Sequence, residues 1–336
     1  MMTEVPDSEV PRKRTRVDVA TPFSDEHAYA AAQQDEEFWE EDGTIVLIAG
    51  NVKFRVYRGL LAQHSPLFTE ALSLPQPTSN SKPCPIITLH DSPEDWRHLL
   101  RLLLPRKLSK FTPSDPSFDM ISAYVRLAHK YQMDELLQQW MGYLMGHFTD
   151  SFDDWTRRER EFPKGMSHIH AIGVVNLARL TGFMCILLTA LSVCITLRGH
   201  IVHGFTRSDG VREQLNSDDL ARCFVFKEEL IQANAVILLK TFSSDGSAYC
   251  DDPIGCSESR SLALGTYKDQ YCAAEFAPVG LAPDWTSYEG ALESRGVCDN
   301  CRRTMNDEYH SEQHAVWRRL PKMLGIEVEG WDKADY

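Results

Sequence analysis

One stretch restricts the fold of this chain more than any other, the 25 residues from Thr44 to Phe68. TIVLIA, Thr44 to Ala49, is a short apolar run with β-branched residues, and the turn pair Gly50-Asn51 leads into VKFRVY. There Val52, Phe54 and Val56 alternate with Lys53, Arg55 and Tyr57, which predicts a hairpin whose second strand is half exposed. The period then changes. RGLLAQHSPLFTEAL predicts two short helices, with Ser65 placed to cap and Pro66 at a first helical position, where its missing N–H costs nothing. Leu60, Leu61, Leu67, Phe68 and Leu72 are the side chains expected to pack onto the hairpin.

After a loop rich in Pro and Ser, IITL at Ile86 to Leu89 supplies a third strand. Ser92-Pro93 with Asp95 starts a helix carrying Trp96, Leu99, Leu100 and Leu103, ended by Pro105. Phe118, Ile121, Val125 and Ala128 form a second helical stripe; Leu137, Met141, Leu144 and Phe148, flanked by Leu136 and Trp140, form a third. Three strands and about five helices in so short a span predict an α+β unit.

The order of these elements resembles the BTB/POZ domain. The likeness rests on DGTIVLIAG at Asp42 to Gly50, FRVYRGLLAQHSPLF at Phe54 to Phe68, ITLHDSPEDWRHLLRLLL at Ile87 to Leu104, and YVRLAHKYQMDELLQQW at Tyr124 to Trp140. The wider layout is similar to BTB proteins of basidiomycete fungi, whose C-terminal regions hold segments like IGVVNLARLTG at Ile172 to Gly182 and IVHGFTRSDGVREQL at Ile201 to Leu215. Two departures stand out. Tyr57 occupies the corner where the family usually has His, and LLLPRKLSKF replaces the commoner Leu-Tyr ending. The resemblance implies a small three-stranded sheet with helical hairpins, followed here by a mainly helical C-terminal region. It also implies binding rather than catalysis: homodimerisation, and for some members recruitment of a cullin or a corepressor. The interaction surface expected on this basis comprises Phe38, Trp39, Leu60, Leu61, Phe68 and Trp96.

Four segments are expected: a disordered tail at 1–35, the BTB/POZ unit at 36–150, a helical domain at 151–243, and a Cys-containing region at 244–336 that ends in an amphipathic helix. The tail holds PRKRTR, where Arg12, Lys13, Arg14 and Arg16 fit a nuclear localisation patch, so the expected location is nucleus or cytoplasm. Its first twenty residues carry no apolar core of a signal peptide. The whole chain has 48 acidic against 35 basic side chains, a formal charge of -13, which argues against a broad phosphate-binding surface and hence against nucleic acid. Leu180 to Leu197 contains no charged residue, but the Thr, Ser and Gly within it and the lack of interfacial aromatics favour one or two buried helices over a membrane span. Ser217, ahead of Asp218 and Asp219, is the expected cap of the next helix.

Five of the nine cysteines fall between Cys250 and Cys301. CDNC at Cys298 to Cys301 is a C-x2-C knuckle able to place two thiolates on one zinc. Two ligand sets complete it: His310 and His314, four apart on a helix face, or Cys250 and Cys256 across a long loop. Either would be structural, because four protein ligands leave no position for a catalytic water; the alternative is that these cysteines are free thiols on a mobile tail and the chain holds no cofactor. No catalytic residue is proposed: there is no phosphate-cradling glycine loop and no GxSxG elbow, and HSEQH sets its Glu at the wrong offset for a metalloprotease. Beyond the knuckle, EYHSEQHAVWRRLPKMLGIEVEGW predicts an amphipathic helix docked by Trp317 and Leu320 and stopped by Pro321. The function expected is that of a non-enzymatic interaction protein, with a cullin-type substrate adaptor or a nuclear regulator as alternatives.

Overall fold

The computed structural model describes residues 26–73, 84–104, 116–157, 165–271, 280–281 and 285–332. It separates into two compact units, one formed by 1–106 with 127–133 and the other by 107–126 with 134–336. The basic patch Arg12, Lys13, Arg14 and Arg16, together with Pro105 and Cys272, lies outside the described residues.

The first unit is built on a mixed sheet. Helix α1 (Glu26–Ala31) precedes β1 (Gln33–Trp39), β2 (Ile45–Ala49) and β3 (Val52–Val56). Two short helices follow, α2 (Arg58–His64) and α3 (Pro66–Ser73), then β4 (Ile86–Leu89) and α4 (Pro93–Leu103). The strand order is β1-β3-β2-β4; β2 and β3 are the antiparallel hairpin, while β1 runs parallel to β3 and β4 parallel to β2. All five residues of β2 are buried, as the central position of an apolar run requires. Here the sequence expectation needs two corrections: residues 26–35 are not a disordered tail but carry α1 and the start of β1, and the sheet has a fourth strand. QQDEEFW carries no strand signal of its own, because carboxylates are depleted in strands and it buries only Asp35 and Phe38. Asp35 is tolerated inside because its carboxylate accepts the N–H groups of Glu37 (3.0 Å) and Phe38 (2.9 Å) and pairs with Arg97 at 2.8 Å.

Helix α5 (Phe118–Lys130) leads into α6 (Asp134–Met145) and α7 (Phe152–Arg157). In the second unit α8 (Ala171–Thr181), α9 (Leu187–Cys194) and the single-turn α10 (His200–His203) precede a two-stranded ribbon, β5 (Phe205–Thr206) with β6 (Arg212–Glu213). The chain ends in α11 (Ser217–Phe242), α12 (Pro253–Tyr271), α13 (Thr286–Ser294) and α14 (Asp299–Leu324). The uncharged stretch from Leu180 to Leu197 is not one helix. Gly182 ends α8 with φ +78°, a left-handed conformation that a side chain would resist, and the chain restarts as the fully buried α9. Among the described residues no helix is long and apolar enough to cross a membrane.

Two polar clusters pin this unit together. Asn216, rather than the expected Ser217, caps α11 by accepting the Asp219 N–H at 2.8 Å, because the helix begins at Ser217 itself, one residue earlier than expected. Asp219 is fully buried and takes a two-pronged contact from Arg179 of α8 at 3.0 and 2.5 Å. In the ribbon, Arg207 is held between Asp209 (2.7 Å) and Glu213 (2.6 Å), and Asn176 of α8 donates to Glu213 at 2.6 Å. The segments Ile172 to Gly182 and Ile201 to Leu215, read separately in the sequence, are thus one packed element.

Pro321 does not stop the last helix. α14 continues to Leu324 and closes with hydrogen bonds from Gly325 N–H to Lys322 O (3.2 Å) and Ile326 N–H to Pro321 O (2.9 Å). The expected docking residues Trp317 and Leu320 are fully buried.

Candidate functional site

Cys298 stands at the N-cap of α14 and Cys301 lies in its first turn, the geometry that a C-x2-C spacing gives when a helix starts inside it. Cys250 lies in the loop before α12, and Cys256 sits in the first turn of α12, where its N–H bonds to Asp252 O at 3.0 Å. The Sγ atoms of Cys250, Cys256, Cys298 and Cys301 all lie within 4.8 Å of one another. Cys298 Sγ approaches Cys250 Sγ at 3.7 Å. Main-chain donors point at the sulfurs: Ser247 N–H reaches Cys301 Sγ at 3.4 Å and Cys298 N–H reaches Cys256 Sγ at 3.5 Å.

The four thiols are not electrostatically alike. The Cys301 N–H at the start of α14 holds the Cys298 thiol below its ordinary value, while burial pushes Cys250 and Cys301 up. Cys194 and Cys223, elsewhere in the unit, are ordinary buried thiols, both pushed up by desolvation, which makes them poor nucleophiles at neutral pH.

Of the two ligand sets that the sequence offers, the structure assembles Cys298 and Cys301 with Cys250 and Cys256. The set with His310 and His314 is corrected. Cys301 and His310 belong to the same continuous helix, nine residues apart, about 13 Å along its axis, so no single ion spans them. His310 is exposed. His314 contacts Asp332 through Nε2 at 2.8 Å and stacks on Phe152 with ring centroids 4.6 Å apart.

In the first unit the Ser-Pro-aromatic motif does structural work. Ser65 Oγ donates to Tyr131 O at 2.6 Å and accepts the Phe68 N–H at 3.2 Å. Phe68 then stacks on Tyr131 at 5.0 Å, and Trp96 meets both rings edge-on at 6.1 and 5.4 Å. The Tyr131 hydroxyl donates to Asp91 at 2.5 Å, and Lys130 pairs with the same carboxylate at 2.6 Å.

The family model for the BTB/POZ domain matches residues 36–147. Those residues form a BTB/POZ domain. No curated protein matches the chain. The BTB/POZ domain accounts for the mixed sheet and the helices that follow it, with a mainly helical region beyond. It also marks the chain as one that makes protein–protein interactions, since BTB/POZ domains are interaction modules.

Within the BTB/POZ domain the surface expected from sequence is largely interior. Phe38, Leu61, Phe68 and Trp96 are at most 3% exposed, so they form core; only Trp39 and Leu60 are partly accessible. The reason is geometric: an aromatic that could anchor an interface serves equally well in the core, and periodicity does not separate the two.

Proposed function

We propose that the chain is a non-enzymatic interaction protein that self-associates through its BTB/POZ domain and recruits a protein partner through its helical C-terminal region. The observation that carries this reading is the BTB/POZ domain itself, matched over 36–147. A net charge of -13 fits a protein partner better than a polyanion. Recruitment through the C-terminal region is supported by α11, where Phe224, Val225, Val236 and Leu239 remain about half exposed. At 3.6 residues per turn these four fall within about a third of the helix circumference. Kinship with the basidiomycete type of BTB protein is supported by Ile172 to Gly182 and Ile201 to Leu215.

Light scattering on the size-exclusion peak tests the first half: a dimer is expected, and a strict monomer at micromolar concentration overturns it. Affinity purification with partner identification tests the second half. A cullin among the partners gives the substrate-adaptor form, and a corepressor with nuclear accumulation dependent on Lys13 and Arg14 gives the nuclear form.

A further inference from the structure

The start of α14, the start of α12 and the loop before α12 bring four thiols and one buried guanidinium together. A disulfide joins two sulfurs at about 2.05 Å. Here four sulfurs instead gather within 4.8 Å of one another, with one pair at 3.7 Å. A tetrahedral zinc site with Zn–S bonds of about 2.3 Å has S···S edges of about 3.8 Å. Small inward rotations of the side chains therefore convert the observed cluster into that polyhedron. The main-chain N–H groups of Ser247 and Cys298, aimed at Cys301 and Cys256, are the outer contacts that orient thiolate ligands and stabilise their charge.

Arg260 gives an independent indication. It lies one turn after Cys256 on α12 and is 3% exposed, yet it has no ion pair among the described residues. Its Nη1 has Ser244 Oγ at 3.4 Å, and its Nε has no hydrogen-bond partner among the described residues. A buried, unpaired cation is costly. Its position explains the exception: a Cβ built on Gly246 would stand 3.1 Å from Cys301 Sγ and 3.0 Å from Arg260 Nη1, so the guanidinium sits beside the sulfur cluster. Four thiolates around one Zn²⁺ leave a net charge of −2, the counter-charge that Arg260 lacks.

We propose that Cys250, Cys256, Cys298 and Cys301 bind one Zn²⁺ as a closed structural site, with Arg260 as its buried counter-charge. Four sulfurs fill the coordination sphere, so the ion fastens the loop before α12 and the beginnings of α12 and α14 to one another and has no position for a reacting water. This assignment does not depend on the interaction reading of the BTB/POZ domain.

The test uses the full chain purified without chelators, measuring bound zinc by elemental analysis and free thiols by titration. One zinc per chain is expected, released as the thiols are blocked by a mercurial reagent. Cys256→Ser and Cys298→Ser are expected to reduce the zinc to background, whereas the double variant His310→Ala, His314→Ala keeps it. Because a cysteine variant can fail to fold, the wild-type chain is also reconstituted with Co²⁺, which should show thiolate-to-metal charge transfer and tetrahedral visible bands. A chain that binds neither metal, or that holds these cysteines as disulfides, overturns the site. Zinc retained by both cysteine variants does the same. Arg260→Met should weaken zinc at least tenfold in competition with a chromophoric chelator; unchanged affinity removes Arg260 from the proposal.

Discussion

Trp331 donates its indole N–H to the main-chain carbonyl of Trp317 over 3.0 Å, in place of the helical N–H that Pro321 does not have. The two rings also stack, with centroids 4.9 Å apart. A proline inside α14 is thereby accommodated without leaving a carbonyl orphaned. Trp331→Phe keeps the stack and removes the donor, so it should cost about 1–2 kcal/mol in urea unfolding. Pro321→Ala in that background restores the missing N–H and should recover most of the loss. A Trp331→Phe variant as stable as the parent would sink this account.

Ser65 makes two bonds at once, to Tyr131 O and from the Phe68 N–H. Ser65→Ala leaves a buried carbonyl unpaired beneath the Phe68–Tyr131–Trp96 aromatic cluster. A loss of about 1–3 kcal/mol is expected, seen as a lower urea midpoint of the BTB/POZ transition. A shift within experimental scatter would show that the hydroxyl merely fills space.

Asp219 supplies a pH dependence whose sign is fixed. Burial alone would raise its pKa, but Arg179 and Asn216 hold the carboxyl below its ordinary value. A carboxyl depressed in the folded state contributes fully above the unfolded pKa, about 4, and loses that contribution as pH falls through the folded value. Melting temperature should therefore drop more steeply below about pH 4 in the parent than in Asp219→Asn. Parallel curves for the two proteins would remove Asp219 from acid unfolding. Arg179→Met leaves the buried Asp219 carboxylate with Arg222 at 3.3 Å and the Asn216 amide at 2.8 Å, and should cost about 1.5–3 kcal/mol near neutrality.

Gly246 has φ +79°, and a side chain there would press on Cys301 and Arg260. Gly246→Ala should destabilise the chain by about 1–2 kcal/mol through backbone strain. Calorimetry on the zinc-free and zinc-loaded protein checks this; an unchanged melting temperature in both would count against it.

How much was legible in the sequence varied with how local the signal was. The β2–β3 hairpin and α4 to α6 announce themselves, because Val52, Phe54 and Val56, or Leu99, Leu100 and Leu103, repeat at the period of the element that holds them. β1 does not, since its pairing is dictated by β3 and its buried Asp35 depends on Arg97, 62 residues away. Cys298 and Cys301 were legible as a local knuckle. The sequence leaves their companions as one of two choices, because residues 42 apart in the chain, Cys256 and Cys298, are brought together by tertiary packing alone. The full length of α14 was hidden for a related reason. Cys301 and Met305 continue its buried stripe upstream of Glu308, and a cysteine in a metal knuckle carries no helical apolar signal of its own.

The sulfur cluster also sets two very different tolerances to change in chain length. Between Cys256 and Cys298 the chain makes an excursion, and the entropy of bringing its ends together grows only logarithmically, by about 0.6 kcal/mol per doubling of the loop. Insertions and deletions in the connection between α12 and α13 should therefore be cheap over evolutionary time. The spacer Asp299-Asn300 has no such latitude: one added residue would turn Cys301 by about 100° around the α14 axis and carry its sulfur away from the other three. Related chains are therefore expected to drift in length between the two cysteine pairs while holding the two-residue step between Cys298 and Cys301 fixed.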